Sequence, residues 1–263
     1  MSFDKSTHVE TCVCAGLSDA SVTGKSTHVE ACVCAELSDA SVIGKAIDAL
    51  RKGRMILLFD ADDREGETDM VIPALCATPA HIARMRRDGG GLICVAIHAV
   101  AADKLGLPFM SDVLRSVSLN GHKSLRTLVE KKGDITYDSR SSFSLWVNHR
   151  DVFTGITDND RALTIRKIGE NVERVLTGEK VDFGDEFRSP GHVALLRAAS
   201  GLLGERCGQT ELSIALALGA GICPSMVVCE MLDEKTGRSL SKEDARKYGR
   251  KHDMPFIEGK NVL

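Results

Sequence analysis

The most constraining feature of this sequence is an acidic segment between two apolar runs. Six carboxylates fall within ten residues, interrupted by a single arginine; they are Asp60, Asp62, Asp63, Glu65, Glu67 and Asp69. The runs 55–59 and 70–73 that flank them are apolar and predict two buried strands. Carboxylates at this density repel one another unless a cation or a polyhydroxylated ligand neutralises them, and Mg²⁺ is a natural partner of such oxygens. A solvated acidic turn is the alternative, but such a turn needs neither the apolar flanks nor the arginine.

Length and charge limit the classes of function. A chain of 263 residues predicts one large domain or two small ones. A net charge of -3 gives no overall basic field for nucleic acid or an anionic membrane, so any anion site must be local. We find no apolar stretch of about 18–20 residues and no signal-peptide pattern, and we therefore expect a cytoplasmic protein. The nine cysteines are an odd number without a secretory context, which favours thiols over a disulfide framework.

The N-terminal region is a tandem repeat of twenty residues, Lys5–Gly24 followed by Lys25–Gly44, with three differences between the copies. Only the second copy continues into a plausible helix, residues 46–50, which Gly53 closes. We therefore expect residues 1–44 to be mostly an appendage and residues 45–263 to form the main domain. The repeated Cys-x-Cys pairs, together with His8 and His28, leave a thiol or metal-handling module as another reading, although zinc sites usually separate paired cysteines by two or more residues.

Beyond residue 45, apolar strand-like runs alternate with helical patterns, which predicts a mixed α/β or α+β domain. The strand candidates are 55–59, 70–72, 92–97, 143–147, 193–197 and 225–232, and the helix candidates are Pro79–Asp88, Asp160–Leu176, Thr210–Gly219 and Lys242–His252. Residues 111–141 are polar and poorly periodic, which indicates a long excursion from the core. Excursions of this length are often functional or mobile.

A second polar constellation lies in the C-terminal half of the chain. Arg206, Gly208 and Thr210 stand at the start of a predicted helix, where unpaired amide groups and the helix dipole favour a phosphate. An ordinary helix cap with a surface arginine is the alternative. Glu230 lies within an apolar strand, so it either faces water or is partly desolvated with a raised pKa, as a general acid or base would be. His192 follows a Pro-Gly turn, which suits proton transfer, although a structural histidine is the commoner case.

Taken together, these motifs resemble the 3,4-dihydroxy-2-butanone 4-phosphate synthase family. The likeness covers about residues 45–258, is strongest to the archaeal form, and leaves out the N-terminal repeat. The motifs that carry it are Asp62–Met70, Gly91–Cys94, Thr154–Thr157 with Asp160–Arg161, Arg188–His192 and Arg206–Glu211. The resemblance implies an α+β fold, a three-layer domain around a mixed twisted β-sheet.

The resemblance also implies a Mg²⁺-dependent or Mn²⁺-dependent lyase of riboflavin biosynthesis. Such an enzyme converts D-ribulose 5-phosphate to L-3,4-dihydroxybutan-2-one 4-phosphate and formate, with two metal ions per subunit and a homodimer whose active site is shared across the interface. The matching positions imply metal ligands at Glu65 and position 209, and catalytic proton transfer by His192 and Glu230. They imply substrate contacts at Arg64, Glu65, Asp69, Cys94, Arg206, Cys207, Gly208, Gln209, Thr210 and Glu230.

One position departs from the family pattern. Where the family has a metal-binding histidine in its Arg-x-Gly-His-Thr-Glu motif, this chain has Gln209. An amide oxygen is a ligand that Mg²⁺ accepts, but glutamine is neither an acid nor a base. We hypothesise weakened binding of the second metal with activity retained at higher metal concentration. The rival is a non-catalytic sugar-phosphate-binding paralogue that Gln209 has impaired.

Overall fold

The two apolar runs beside the acidic segment form neighbouring strands in the computed structural model, which describes residues 42–119 and 124–263. Strand β1 (Ile56–Phe59) pairs antiparallel with β2 (Thr68–Pro73), and every residue of both strands is buried. Leu58 lies opposite Asp69 in this register. The acidic segment is therefore the connection of a buried hairpin, and its carboxylates lie at one end of that hairpin.

A mixed sheet of seven strands in the order β4-β5-β3-β6-β2-β1-β9 forms the centre of the domain. Strand β3 runs parallel to β5, and β1 runs parallel to β9, while the other neighbouring pairs are antiparallel. All six predicted strands are confirmed, whereas β8 and β9 were not predicted. The remaining strands are β3 (Cys94–Ile97), β4 (Phe143–His149), β5 (Phe187–Arg197), β6 (Ser225–Glu230), β7 (Leu232–Asp233), β8 (Arg238–Ser239) and β9 (Phe256–Glu258).

Helices cover both faces of the sheet, which confirms the expected three-layer α+β architecture. Helices α1 (Val42–Arg51) and α8 (Gln209–Ala220) pack on one face, with side chains such as Ile47 and Leu216 in the core. The other face carries α2, α3, α6, α7 and α9, whose bounds are Pro79–Arg84, Ala99–Lys104, Asp158–Leu176, Phe183–Glu186 and Lys242–Lys251. The four helices predicted beyond residue 78 and the helix at residues 46–50 are confirmed.

The predicted excursion is more regular than its composition indicated. Helix α4 (Met110–Leu119) occupies its first part and α5 (Leu125–Leu128) follows, and neither helix was predicted. The serines and the aspartate in α4 have low intrinsic helix propensity, and packing against β4 compensates for it. The rest of the excursion, residues 130–142, passes along the end of the sheet in a series of turns and bends, and we call it the strap.

The repeat lies almost entirely outside the described residues, and so do its Cys-x-Cys pairs. Among the residues that are described, no helix is both long and apolar enough to cross a membrane. The cytoplasmic location expected from the sequence stays a prediction. Cys94, Cys207 and Cys229 form no disulfide within the described part of the chain.

Gly191 allows β5 to approach β4 without a side chain between them. A Cβ atom at this position would overlap the backbone of Val147 and Asn148. This overlap involves main chain, which cannot turn aside as the end of a flexible side chain can. The close approach places the next residue, His192, beside the side chain of Asn148.

We predict that Gly191→Ala destabilises the protein by about 1–3 kcal/mol, the usual cost of forcing extra volume into a packed site. Urea unfolding measures the change in the free energy of unfolding. Gly204→Ala is the matched control, because a Cβ at Gly204 meets no atom within 4 Å. Equal stability of the two variants would contradict this account of the β4–β5 contact.

Candidate active site

Asp60 organises the acidic connection between β1 and β2. Its buried carboxylate accepts hydrogen bonds from the backbone N–H groups of Glu65 and Glu67, both at 3.0 Å, and from Arg64 Nη1 at 3.3 Å. The other carboxylates of the segment lie either at the surface or toward the end of the sheet. Asp62 pairs with a lysine on α9 at the surface, whereas Glu65 faces a cavity at the end of the sheet.

This cavity of about 130 Å³ lies where β2, β3 and β6 meet the N-terminus of α8. The register of the sheet explains why the side chains meet: Asp69 lies opposite Glu230, and Cys94 lies opposite Val228, two residues before Glu230. Residues two apart on a strand share a face, so all of them face α8. Seven of the predicted site residues line the cavity: Glu65, Asp69, Cys94, Arg206, Gln209, Thr210 and Glu230.

Three carboxyl groups that line the cavity, those of Glu65, Asp69 and Glu230, have a raised pKa. Burial, and then the charge of Glu230, raise the pKa of Asp69 well above its ordinary value. Burial also raises the pKa of Glu230, although the hydrogen bond that its carboxylate accepts from the Leu92 N–H at 2.8 Å works in the opposite direction. Burial and the same carboxylates raise the pKa of the Cys94 thiol, so this side chain lines the cavity as a protonated thiol. The pair Asp69 and Glu230 is suited to holding and transferring protons.

Gln209 connects two separate parts of the site. Its amide nitrogen donates hydrogen bonds to the carbonyl oxygens of Leu58, at 3.0 Å, and Glu67, at 3.1 Å. Its amide oxygen is buried and has no hydrogen-bond partner among the described residues. An oxygen in this condition is costly to bury unless a ligand satisfies it.

The side chains of the cavity fit a hard divalent cation that keeps several water or substrate ligands. The oxygen donors are the Glu65 carboxylate, the unsatisfied Gln209 Oε1 and the equally unsatisfied Asp69 Oδ1. Across residues 42–119 and 124–263, no three His, Cys, Asp or Glu side chains are grouped so that they could hold a metal by themselves. Mg²⁺ suits this arrangement, because it usually binds through one or two protein oxygens and completes its shell with water and substrate.

Two arginines lie over the first turn of α8. Arg206 donates from Nε to Asp138 and from Nη1 to Glu211, and Arg64 donates from Nη2 to Asp138 at 2.6 Å. A Cβ at Gly208 would overlap both guanidinium groups, so glycine lets them lie close to the start of the helix. The anion site stays a prediction, and both of its arginines are paired with carboxylates.

Four predicted residues do not line the cavity: Arg64 and Gly208, which lie beside Arg206, and Cys207 and His192. Cys207 donates its thiol to the Leu203 carbonyl at 3.3 Å and does not line the cavity. His192 is exposed on β5, where its backbone N–H donates to Asn148 Oδ1 at 2.9 Å. Strand β3 lies between β5 and the strand that carries Glu230, which places the two backbones roughly 10 Å apart. His192 is not among the residues that line the cavity to which Glu230 contributes.

The strap contributes to the lining of the cavity, which was not predicted from the sequence. Tyr137, Asp138 and Arg140 all line the cavity. No periodicity or motif marks these residues in the sequence. The only signal was the length of the polar excursion that contains them.

Comparisons with known proteins agree with this geometry. A family model described as 3,4-dihydroxy-2-butanone 4-phosphate synthase matches residues 44–263. A protein of that name from Methanosarcina acetivorans is 60% identical over 218 residues, which cover 83% of this chain and 88% of the relative. The solved structure of a synthase of that name from Candida albicans is 28% identical, with a TM-score of 0.64 over 84% of this chain and 94% of the other. Another, in complex with two magnesium ions, is 24% identical, with a TM-score of 0.65 over 85% and 95%.

We predict that Asp69→Asn stabilises the metal-free protein progressively as the pH rises. Because the pKa of Asp69 is raised in the folded state, its stabilising contribution is complete below about pH 4 and is lost as the pH rises through the folded pKa. Asparagine resembles the protonated form at every pH and avoids this loss. Urea unfolding in a chelator should show the variant gaining stability over wild type as the pH rises above about 4.

The matched control is Asp63→Asn, which changes an exposed side chain of the same acidic segment. A stability difference between Asp69→Asn and wild type that does not change with pH would contradict the assignment.

Proposed function

Because the chain belongs to the 3,4-dihydroxy-2-butanone 4-phosphate synthase family, we propose that it converts D-ribulose 5-phosphate to L-3,4-dihydroxybutan-2-one 4-phosphate and formate, a lyase reaction in riboflavin biosynthesis. One observation supports this most strongly: a single cavity joins three carboxyl groups of raised pKa, unsatisfied oxygen ligands and a guanidinium at a helix N-terminus. Nothing in the comparisons favours the non-catalytic paralogue.

We propose that Glu65 and the amide oxygen of Gln209 hold a divalent cation, Mg²⁺ or Mn²⁺, with two ions per subunit when substrate is bound. The unsatisfied Gln209 oxygen supports this, as does the solved relative that contains two magnesium ions. Such a cation would polarise the carbonyl and hydroxyl oxygens of the sugar and stabilise an enediolate. Burial raises the pKa of Glu65 although Arg64 opposes this, so a cation would also relieve an unfavourable charge.

The start of α8 is the proposed phosphate site. Arg206 uses Nε and Nη1 for carboxylates, which leaves Nη2 as its donor toward a phosphate. The backbone N–H groups in the first turn of α8, at Gln209 and Thr210, add donors at the positive end of the helix dipole. Asp69 lines the cavity and Arg64 lies beside Arg206, and we assign both to the sugar hydroxyls.

We assign proton transfer to Glu230 and His192. The raised pKa of Glu230 brings its proton affinity closer to neutral pH, where a general acid or base works best. Glu230 faces the cavity, and Asp69 beside it can hold a hydroxyl group of the sugar. His192 supplies the second group, but it must reach the cavity from another position than the one it occupies within a single chain.

A homodimer would bring His192 of one subunit to the cavity of the other. We propose a homodimer whose subunits share their active sites in this way. The loop after β4 exposes Phe153, which is 93% accessible, and Ile156. Gly155 in that loop lies against Asn148, whose side chain contacts His192. The exposed apolar side chains and His192 therefore lie on one surface. A second copy docked there would bring its cavity to His192.

We also propose that residues 1–44 are an appendage to a catalytic domain formed by residues 45–263. The family model begins at residue 44, and the Methanosarcina relative matches 83% of the chain. The thiol or metal-handling module of the repeat stays an untested alternative.

The proposed activity is tested by measuring formate release from D-ribulose 5-phosphate by the purified protein, titrated with Mg²⁺ and Mn²⁺. We expect metal-dependent formate, and we expect Glu65→Ala to lower the rate at least ~100-fold, as loss of a major electrostatic contribution does. Asp63→Ala, in the same acidic segment but exposed, should keep the wild-type rate. No formate from the wild-type protein at any metal concentration would refute the proposed function.

Gln209→His extends the same titration. The imidazole should bind the metal more tightly and lower the metal concentration at half-maximal rate, and calorimetry should show the tighter binding directly. The variant loses the hydrogen bonds to Leu58 and Glu67, so we expect a stability loss of about 1 kcal/mol. An unchanged metal requirement would show that position 209 does not hold the metal.

The shared site is tested by coexpressing two inactive variants, His192→Ala and Glu230→Ala. A mixed dimer then contains one site in which both residues are wild type, so random pairing should restore about a quarter of the wild-type activity. Each variant alone should be inactive. Absence of recovery in a mixture that forms mixed dimers would place both residues in the site of one subunit.

A further inference from the structure

One oxygen atom of the strap joins the two arginines of the site. Asp138 Oδ2 accepts a hydrogen bond from Arg64 Nη2 at 2.6 Å and another from Arg206 Nε. The Asp138 side chain is only 6% exposed. Arg64 and Arg206 come from segments separated by about half the chain, and Asp138 is a bridge between them.

The Asp138 carboxylate offsets the repulsion between the two guanidinium groups. Two guanidinium groups lie side by side over Gly208, at the N-terminus of α8 where the helix dipole is also positive. Without an anion between them, these groups would repel each other and turn toward solvent. Burial by itself would raise the pKa of Asp138, but the charge of Arg206 and the hydrogen bonds from both arginines outweigh it and keep this pKa below its ordinary value. Asp138 is therefore a charged partner at neutral pH.

The strap holds Asp138 in place from outside the cavity. Arg140 is bound to Asp112 and to the hydroxyl of Ser111, both at 3.0 Å, which fixes the strap to α4. On the other side of Asp138, the Tyr137 ring lies 5.3 Å from the Arg64 guanidinium carbon. The strap thus attaches on both sides of Asp138 and presents one carboxylate inward.

We propose that Asp138 is a positioning residue for the substrate phosphate. By occupying Arg206 Nε and Arg64 Nη2, it fixes both guanidinium planes, so that Arg206 Nη2 and the first N–H groups of α8 converge on a phosphate. This role rests on the proposed function of the site. It adds an acidic residue to a site that binds an anion, where charge alone would call for none.

The sign of one kinetic change separates positioning from repulsion. If Asp138 only repelled the phosphate, removing its charge would strengthen binding and lower KM. If it positions the arginines, its removal raises KM. The phosphate is distant from the reacting carbons and binds alike in the ground state and the transition state, so kcat should change much less than KM.

The experiment compares KM and kcat for formate release from D-ribulose 5-phosphate in three variants and the wild type, at saturating Mg²⁺. We expect Asp138→Ala to raise KM about tenfold or more, the effect of losing charge-assisted hydrogen bonds. Asp138→Asn keeps a neutral acceptor oxygen and should lie between Asp138→Ala and wild type. Asp134→Asn is the matched control, because Asp134 is an exposed acid of the same strap whose carboxylate accepts from the Lys131 N–H.

A KM that is unchanged or lower in both Asp138 variants would overturn the proposal, and so would an equal rise in the Asp134→Asn control. If Asp138→Ala does not fold, the change in KM of Asp138→Asn alone tests the proposal: a rise supports it, and an unchanged or lower KM overturns it. If the wild-type protein releases no formate, the proposed function fails separately. In that case calorimetry measures the Kd of the wild type and of each variant for inorganic phosphate. Weaker binding in the Asp138 variants would support positioning, and equal or tighter binding would overturn it.

Discussion

Repulsion between carboxylates at one end of the central sheet is the constraint on which the site depends. Asp69 and Glu230 lie directly opposite each other on β2 and β6, a pairing that is unfavourable when both groups are charged. Burial makes the repulsion stronger, since little water is present to screen it. The protein accommodates the pair by raising their pKa values and by leaving room for a cation beside them. A cation bound beside the pair, as we propose, would relieve this unfavourable charge arrangement.

The neighbouring charges are arranged to confine this repulsion. Asp60 uses its carboxylate to fold the acidic connection, so one of the six acids is a structural element of the turn. Arg64 and Arg206 neutralise part of the negative charge, and Asp138 in turn prevents these two cations from separating. Gln209 is neutral and donates to two carbonyl groups, so its oxygen is directed by hydrogen bonds on its nitrogen. Arg64, Arg206, Gln209 and Glu230 are each held by a hydrogen-bond partner from another segment.

Strands and helices were predicted correctly where their sequence pattern is local. Strands β1, β2 and β6 are short apolar runs with clear ends, and α6 has a helical period over 19 residues, so their positions follow from the sequence. Helix α4 was missed because its serines and aspartate weaken the local signal, and its packing against β4 decides its state. Strand β9 was missed because it has only three residues and depends on its pairing with β1.

The residues of the site likewise divide into those marked by a local sequence signal and those placed by tertiary packing. The carboxylates, the helix start at Arg206 and Gly208 and the buried Glu230 could be identified from the sequence, because each is unusual in its local surroundings. The sequence alone determined the chemistry available: acids, an anion site and a glutamine in place of a histidine. Only the tertiary structure decided which groups meet. It brought Asp138 between two arginines and kept His192 away from the cavity, because these distances depend on strand order and on the path of the strap, which no local pattern encodes.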